Sequence, residues 1–476
     1  MAGSLQSSPS YGLTPAHQKV TLASNYLGST SFQFLNQFLP DTFEKEFERY
    51  GNRSIASFLR QVSAEIPTNS DMIKWAEQGR LHVKYTGLTV GALSGANGTQ
   101  VFTNPLGTMA YRVGQTVFLS STNGASRKAL ITVVAATTFT VVYYGLMPAD
   151  VFIGSTVTSF VYGSEFQKGT AGMVGSLEAQ DVFFDNKPII LKDTYQVSGS
   201  DMAQIGWVEI SDEEGGTGYL WYMKSNHDTR IRFEDYLEMS MVEGEPAVAT
   251  SGAYLALSPA ASTTFAGGTA ASTAAGTKGL FYEVTNRGNV WSAGNPTTLQ
   301  DWDVILQRLD KQGAIQENVI FMNRQFSLDT DDMLAAQNSY GANGTSYGLF
   351  NNDKDMALNL GFTGFRRGSY DMYKNDWKYL NDATLRGDIT AGAVNGILVP
   401  AGTMNVYDQV MGKNMKRPFL HVRYRATEAE DRKMKTWVTG GAGGAATDNI
   451  DAMSVNYLSE RCLCVLGANN FMIFNN

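Results

Sequence analysis

Hydrophobic and polar positions change rhythm several times along this chain. Residues 1–40 are polar with scattered aromatics (Phe32, Phe34, Phe38) and end at Pro40. Asp41 then stands where it can cap a helix through DTFEKEFERYG, with acids in the first turn where they complement the helix dipole. A helical stretch continues through SIASFLRQVSAE until Pro67 breaks it, and a short amphipathic segment, DMIKWAEQG, follows. From about Leu81 to Gly163 the period becomes two. The runs KYTGLTV, QVFTN, QTVFLSS, KALITVVA, TFTVVYYG and TVTSFVYG read as strands, punctuated by Asn97–Gly98 and Asn123–Gly124. They predict a small β-barrel or sandwich. The uncharged stretch Ala129–Ala149 belongs to this block. Its threonines and valines favour two paired strands with a turn near Ala136–Thr137 over a membrane helix.

Residues 165–200 show no helical stripe before Asp201 and carry Gly169, Gly172 and Gly175. So long an extended segment with little core of its own must lie on something, and a neighbouring chain is one candidate. After the acidic loop SDEEGGTG, an apolar face of Leu220, Met223, Ile231, Tyr236, Leu237 and Met241 predicts a helix over about 219–242. Such a helix runs roughly 35 Å. Residues 244–279 are Ala/Gly/Ser/Thr-rich linker. A helix follows in TLQDWDVILQRLDKQG, started by a Thr298/Asp301 capping box and stopped at Gly313. NVIFMN is a short buried strand, and SLDTDDMLAAQN a helix capped by Ser327. Strands and turns return after Tyr370 in DMYKNDWKYL, NGILVPAGTM and PFLHVRYRA. The Gly-rich loop GGAGGAATD precedes two closing strands, MSVNYLSERCLCVLG and NNFMIF.

Composition narrows the function. Charged residues make up 17% of the 476 positions, below the average for soluble proteins, while 48 glycines exceed it. That balance suits extended loops and partner contacts. A net charge of −8, with no basic run longer than Lys413–Arg417, argues against a nucleic-acid reader, which needs a cationic face. The polar N-terminus shows no secretory signal pattern. Cys462 and Cys464, two apart on a strand, share one face, fit no common zinc or disulfide spacing, and read as buried thiols in a reducing compartment.

Candidate chemistry is sparse. His17, His82, His227 and His421 are not spaced as metal ligands, and no Walker or dinucleotide-binding motif is present, so no cofactor and no metal is expected. GTSYG, Gly344–Gly348, matches a nucleophile-elbow pattern that would make Ser346 a nucleophile with His421 as base, but its flanks read as polar loop. The acid clusters Asp212–Glu214 and Asp329–Asp332 lack the rest of a calcium loop. Lys168 is a surface lysine with no marked cross-linking partner.

The order of elements resembles the Hong Kong ninety-seven fold of tailed-bacteriophage major capsid proteins. The strings carrying the resemblance are TLQDWDVILQRLDKQGAIQENVIFMN, NGILVPAGTM and SVNYLSERCLCVLGANNFMIF, and the match of layout spans nearly the whole chain. Its texture is most similar to capsid proteins of crAss-like phages of gut Bacteroidota. The resemblance implies an α+β fold with an N-arm and leading helices over 1–66 and an E-loop over 67–199, interrupted by the β-rich insertion at about 81–163. It further implies a P-domain over 200–251 and 450–476, with the spine helix at 219–242, and an A-domain over 252–449.

As function, the resemblance implies a non-enzymatic subunit that self-assembles into pentamers and hexamers of an icosahedral head enclosing double-stranded DNA. The shell would be built in the bacterial cytoplasm and found in the virion. Its partners would be copies of itself, portal, decoration or head-fibre proteins, and DNA by non-specific proximity, with no membrane. Gly169, Gly172 and Gly175 become candidates for E-loop bending. An encapsulin-like nanocompartment shell shares the fold and is disfavoured by the large insertion. A serine hydrolase at Ser346 and an extracellular β-rich adhesin are the readings from other classes.

Overall fold

The computed structural model describes residues 58–95, 98–146, 149–175, 180–203, 210–211, 217–218, 221–247, 276–338, 363–408, 413–442, 444 and 447–475. The expected N-arm and its capped helix, the linker from 248 to 275, and Ser346 with its flanks lie outside these residues. The chain is α+β, dominated by sheet.

A short helix, α1 (Phe58–Val62), leads into β1 (Ser63–Thr68) and β2 (Ile73–Gln78). SIASFLRQVSAE is therefore not one helix. Its last residues and Pro67 form a strand, parallel to β20 (Leu420–Arg425). Proline is tolerated there because β1 is the outermost strand of its sheet. DMIKWAEQG likewise alternates at period two, with Ile73, Trp75 and Glu77 half-buried and the residues between them exposed, and forms β2.

Six strands follow: β3 (Lys84–Val90), β4 (Thr99–Thr103), β5 (Gln115–Ser121), β6 (Ser126–Val134), β7 (Thr138–Tyr143) and β8 (Val157–Ser164). They close into a barrel in the order β3-β4-β7-β6-β5-β8. Inward residues including Leu88, Phe102, Tyr111, Leu119, Phe139 and Val141 fill it. Several of its buried polar groups are paired. Tyr111 Oη meets Ser159 Oγ at 2.5 Å, and Gln100 Nε2 donates to Asp150 at 3.0 Å while Gln100 Oε1 accepts from Tyr143. The uncharged stretch Ala129–Ala149 supplies β6 and β7 of this barrel. Among the described residues no helix is long and apolar enough to cross a membrane.

The chain leaves the barrel through an exposed segment and pairs β9 (Asp181–Asn186) antiparallel to β2. β10 (Ile189–Ser198), α2 (Gly199–Met202), β11 (Ile210–Ser211) and β12 (Thr217–Gly218) lead to the long helix α3 (Trp221–Glu243). At 23 residues α3 is roughly 35 Å long. Its buried stripe contains Thr229, Phe233, Leu237 and Met241, whereas Tyr236, expected on the apolar face, is exposed. Phe233 at i−4 from Leu237 fills that place.

α4 (Leu280–Arg287), which directly follows the linker-like stretch and for which the sequence reading assigned no element, and β13 (Asn289–Trp291) precede α5 (Leu299–Gln312). The Thr298/Asp301 capping box and a left-handed Gly313 at φ 68° bound α5. β14 (Glu317–Met322) is followed by α6 (Arg324–Asn338), which starts earlier than Ser327. Asn323 accepts from the Phe326 backbone N–H and caps it, while Ser327 is buried within the helix. The remaining elements are β15 (Gly364–Arg367), β16 (Tyr370–Asp376), α7 (Lys378–Asn381), β17 (Val394–Pro400), β18 (Thr403–Asp408), β19 (Lys413–Pro418), β20, β21 (Lys435–Gly440), β22 (Ala452–Val465) and β23 (Met472–Asn475).

A six-stranded mixed sheet, β13-β23-β17-β14-β16-β15, forms the body. One face packs on α5 and α6 through Trp302, Ile305, Leu309 and Phe326 against Ile320, Leu398 and Phe474. On the other, Phe58 stacks on Trp377 at 4.4 Å and meets Phe321 edge-on at 4.7 Å, and Phe281 of α4 joins them. Because both faces are covered, the central strands read as continuous apolar runs such as VIFM and ILV.

The described residues separate into two compact units, one holding 192–236 and 435–458 and the other the remainder. In the first, β21 pairs with residues 453–458 of β22. Phe233 packs on Tyr457 at 5.7 Å, and the Tyr457 hydroxyl donates to Asn226 at 2.7 Å.

Candidate assembly surfaces

The β2–β9 ribbon is the stem on which the barrel is carried, and its register divides it into two faces. Trp75 lies opposite Phe184 and Glu77 opposite Val182, whereas Ala76 lies opposite Phe183 and Gln78 opposite Asp181. Of the first set, Trp75, Glu77 and Phe184 are half-buried, while Val182 is exposed. Arg287 of α4 lies 3.6 Å from the Phe184 ring centroid and donates to Glu77 at 2.6 Å and to Glu283 at 2.5 Å. Glu77 also accepts the Gly467 backbone N–H at 3.0 Å.

Asn186, 2% exposed at the end of β9, completes the anchor. Its amide donates to the carbonyls of Leu463 at 2.6 Å and Lys278 at 2.9 Å. Its oxygen accepts from the backbone of Lys187 and Lys278 and from the Thr277 hydroxyl at 2.8, 2.9 and 3.1 Å. Only an asparagine offers this mix of donors and acceptors in so small a volume.

The opposite face of the ribbon is bare. Phe183 is 71% exposed. Most of the large apolar side chains that remain exposed among the described residues fall between Met72 and Ile190, in the ribbon, the barrel and their connections.

The bending candidates sit in the exposed segment after β8. Gly169, at φ +80°, closes a turn in which the Thr170 N–H and hydroxyl both donate to the Gln167 carbonyl, at 3.3 and 2.7 Å. A side chain there would be strained by the backbone angle alone. Gly175 is also left-handed, at φ +81°, and Gly172 is not. A Cβ at 169 or 172 would meet nothing within 4 Å. Lys168 is exposed in the same segment.

A charged network fastens the sheet edge in the same unit. Glu460 of β22, 4% exposed, accepts from Arg425 at 3.0 Å. Arg432 Nε lies 3.1 Å from its other oxygen without hydrogen-bond alignment. Arg461 donates to Ser459 at 2.9 Å and to the Lys433 carbonyl at 2.8 Å and lies 3.5 Å from Glu65, which Lys433 also pairs. Burial pulls the Arg461 guanidinium below its ordinary range.

Of the two enzyme candidates, only His421 is among the described residues. His421 is 3% exposed in β20, in register with Cys464. Its supposed partner Ser346 lies outside the described residues. Cys462 and Cys464 are free and buried, and their mutual contact together with burial holds the Cys462 thiol well above its ordinary range. Among the described residues no group of three or more His, Cys, Asp or Glu is placed to hold a metal.

No protein-family model and no curated protein matches the chain. Solved structures similar to it include one described as Microbacterium phage Oxtober96, at 8% identity and TM-score 0.40, covering 94% of this chain and 98% of that one. The capsid of an empty GTA particle is similar at 11% identity and TM-score 0.35, covering 92% and 96%. The mature capsid of bacteriophage PhiM1 is similar at 9% identity and TM-score 0.37, covering 91% of each chain. At these scores the functional reading rests on the chain's own geometry.

Proposed function

We propose that the chain is the major capsid protein of a tailed bacteriophage, a shell subunit without enzymatic activity. Copies of it assemble into pentamers and hexamers of an icosahedral head that encloses double-stranded DNA. The narrower affinity to crAss-like phages rests on sequence texture alone. The observation that carries the reading is the anchored ribbon with its barrel. The stem is fastened to the body by Asn186, Glu77 and Arg287, yet the excursion it supports keeps Phe183 and many other apolar groups in water. A chain that fixes such an arm rigidly and leaves it uncovered is built to lay it on another molecule.

In this reading 67–199 is the E-loop, 81–163 its insertion and α3 the spine helix, and the six-stranded sheet joins five strands of the A-domain range 252–449 to β23 of the returning P-domain segment 450–476. Permanent interlocking interfaces of this kind bury ~2,000–5,000 Å². Each subunit makes several, so the shell is held by multivalency. Sedimentation of the purified full chain under assembly conditions tests the proposal. Capsomers and closed particles are expected; a stable monomer at every concentration and salt would overturn it.

A further inference from the structure

The outer side of the barrel holds a shallow cleft of about 460 Å³, lined by Thr116, Lys128, Tyr144, Tyr162, Gly163 and Glu165 among others. Its residues come from the neighbouring strands β6, β5 and β8 and from the positions just beyond β7 and β8. Val117 and Leu119 fill the barrel core, so Thr116, their neighbour on β5, turns outward. Direct contacts draw the group together. Tyr144 Oη donates to Glu165 Oε2 at 2.5 Å, and Lys128 Nζ stands 5.7 Å from the centroid of the Tyr162 ring. The Glu165 backbone N–H donates to the Gly114 carbonyl at 3.0 Å and fixes that end of the cleft. Tyr144 and Tyr162 both remain half-exposed.

Polar capacity in the cleft is left unused. Thr116 is 4% exposed, yet its hydroxyl takes no hydrogen bond among the described residues, whereas buried hydroxyls are ordinarily paired. Gly163 lies opposite it in register, and a Cβ there would stand 3.2 Å from the hydroxyl oxygen. Among the described residues Glu165 Oε1 accepts no hydrogen bond, and Lys128 Nζ meets no carboxylate. The two charges cancel, which disfavours an anion or a nucleic acid. Closure of the barrel leaves no unpaired strand edge, so an extended peptide has no backbone to pair with. A sugar ring fits the remaining groups. It sets its apolar C–H face against an aromatic ring and spreads its hydroxyls to the polar side chains around it. The volume falls in the range of small-ligand sites.

We propose that this cleft is a carbohydrate-binding site for a neutral pyranose residue. Tyr162 and Tyr144 supply the aromatic surface. Glu165 accepts from the sugar's hydroxyls, Lys128 donates to them, and the Thr116 hydroxyl gains the partner that the protein does not give it. The inference goes beyond the shell reading and does not depend on it, because every group belongs to the barrel and the turns at its ends.

The test is saturation-transfer NMR on the full chain, with the methyl glycosides of glucose, galactose, mannose and N-acetylglucosamine as probes and phenyl phosphate as the anionic comparison. The expected result is transfer to the ring C–H protons of at least one glycoside. Tyr162→Ala abolishes it, and Gly163→Ala, which sets a methyl group over the Thr116 hydroxyl, weakens binding roughly tenfold. Both positions are exposed, and an unchanged urea midpoint shows that the variants fold. Leu106→Ser, at an exposed position outside the cleft, leaves the transfer unchanged. No transfer to any of the glycosides overturns the proposal, as does transfer that Tyr162→Ala leaves intact. Transfer to phenyl phosphate alone, lost in Lys128→Ala, overturns it in favour of an anion. The shell reading survives each of these results, and a chain that fails to assemble but binds sugar loses only that reading.

Discussion

The body and the barrel are both built on aromatic-rich cores, and they treat their outer surfaces in opposite ways. The body covers both faces of its sheet, one with Trp302 and Phe326 on helices, the other with Phe58, Phe281 and Trp377. Ion pairs such as the Arg386–Glu243 fork tie its elements together. The barrel needs no covering layer, because closure pairs every strand and turns alternate residues inward. Its outward residues are therefore free of any folding duty, yet Phe160, Tyr162, Tyr144 and Val133 are all large and exposed. Apolar groups that folding does not require point to a second use. In the proposed reading the body holds the subunit's shape and the excursion carries its contacts.

Three perturbations separate those roles. The largest effect belongs to the body. Glu460→Ala removes the buried carboxylate shared by Arg432 and Arg425, although Arg425 keeps Asp71, and costs about 3 kcal/mol, read as a lower denaturation midpoint of the full chain. The barrel core has no such dependence, and its amides keep their hydrogen-exchange protection in that variant.

The next effect falls on the joint. Asn186→Ala removes five hydrogen bonds and orphans buried carbonyls of Leu463 and Lys278, for about 2–3 kcal/mol. Exchange should quicken in β2 and β9 while the six-stranded sheet stays protected. Equal loosening of the sheet would show that the stem is not a separable part.

The smallest effect is an alkaline one in the barrel. Burial pushes the Tyr111 hydroxyl up from 10.0 to about 12. The unfolded tyrosine loses its proton first, so the stabilisation is complete below pH 10 and is lost as pH rises toward 12. By pH 11 the loss is about 1 kcal/mol. Tyr111→Phe should flatten that slope, and an unchanged slope would place the titration elsewhere.

Much of this was legible in the sequence because it is local. The six barrel strands, the ends of α5 and the extent of α3 follow from alternation, capping residues and helical stripe. The errors have physical causes. SAEIPT looked helical by continuity with FLRQV, but pairing with β20 overrode it. Ser327 looked like a cap, while Asn323, in the preceding turn, does the capping. The surfaces were harder to read. DVFFDN shows its alternation in one dimension, so Phe183 could have been marked as outward. Asn186 carried no signal at all, because three of the four residues it bonds, Thr277, Lys278 and Leu463, come from distant parts of the chain.

The most direct test of the central claim is electron microscopy of the purified full chain, with mass measurement of the species it forms. The account predicts closed icosahedral shells in which this chain is the dominant component. A persistent small monomer or dimer under assembly conditions would contradict it.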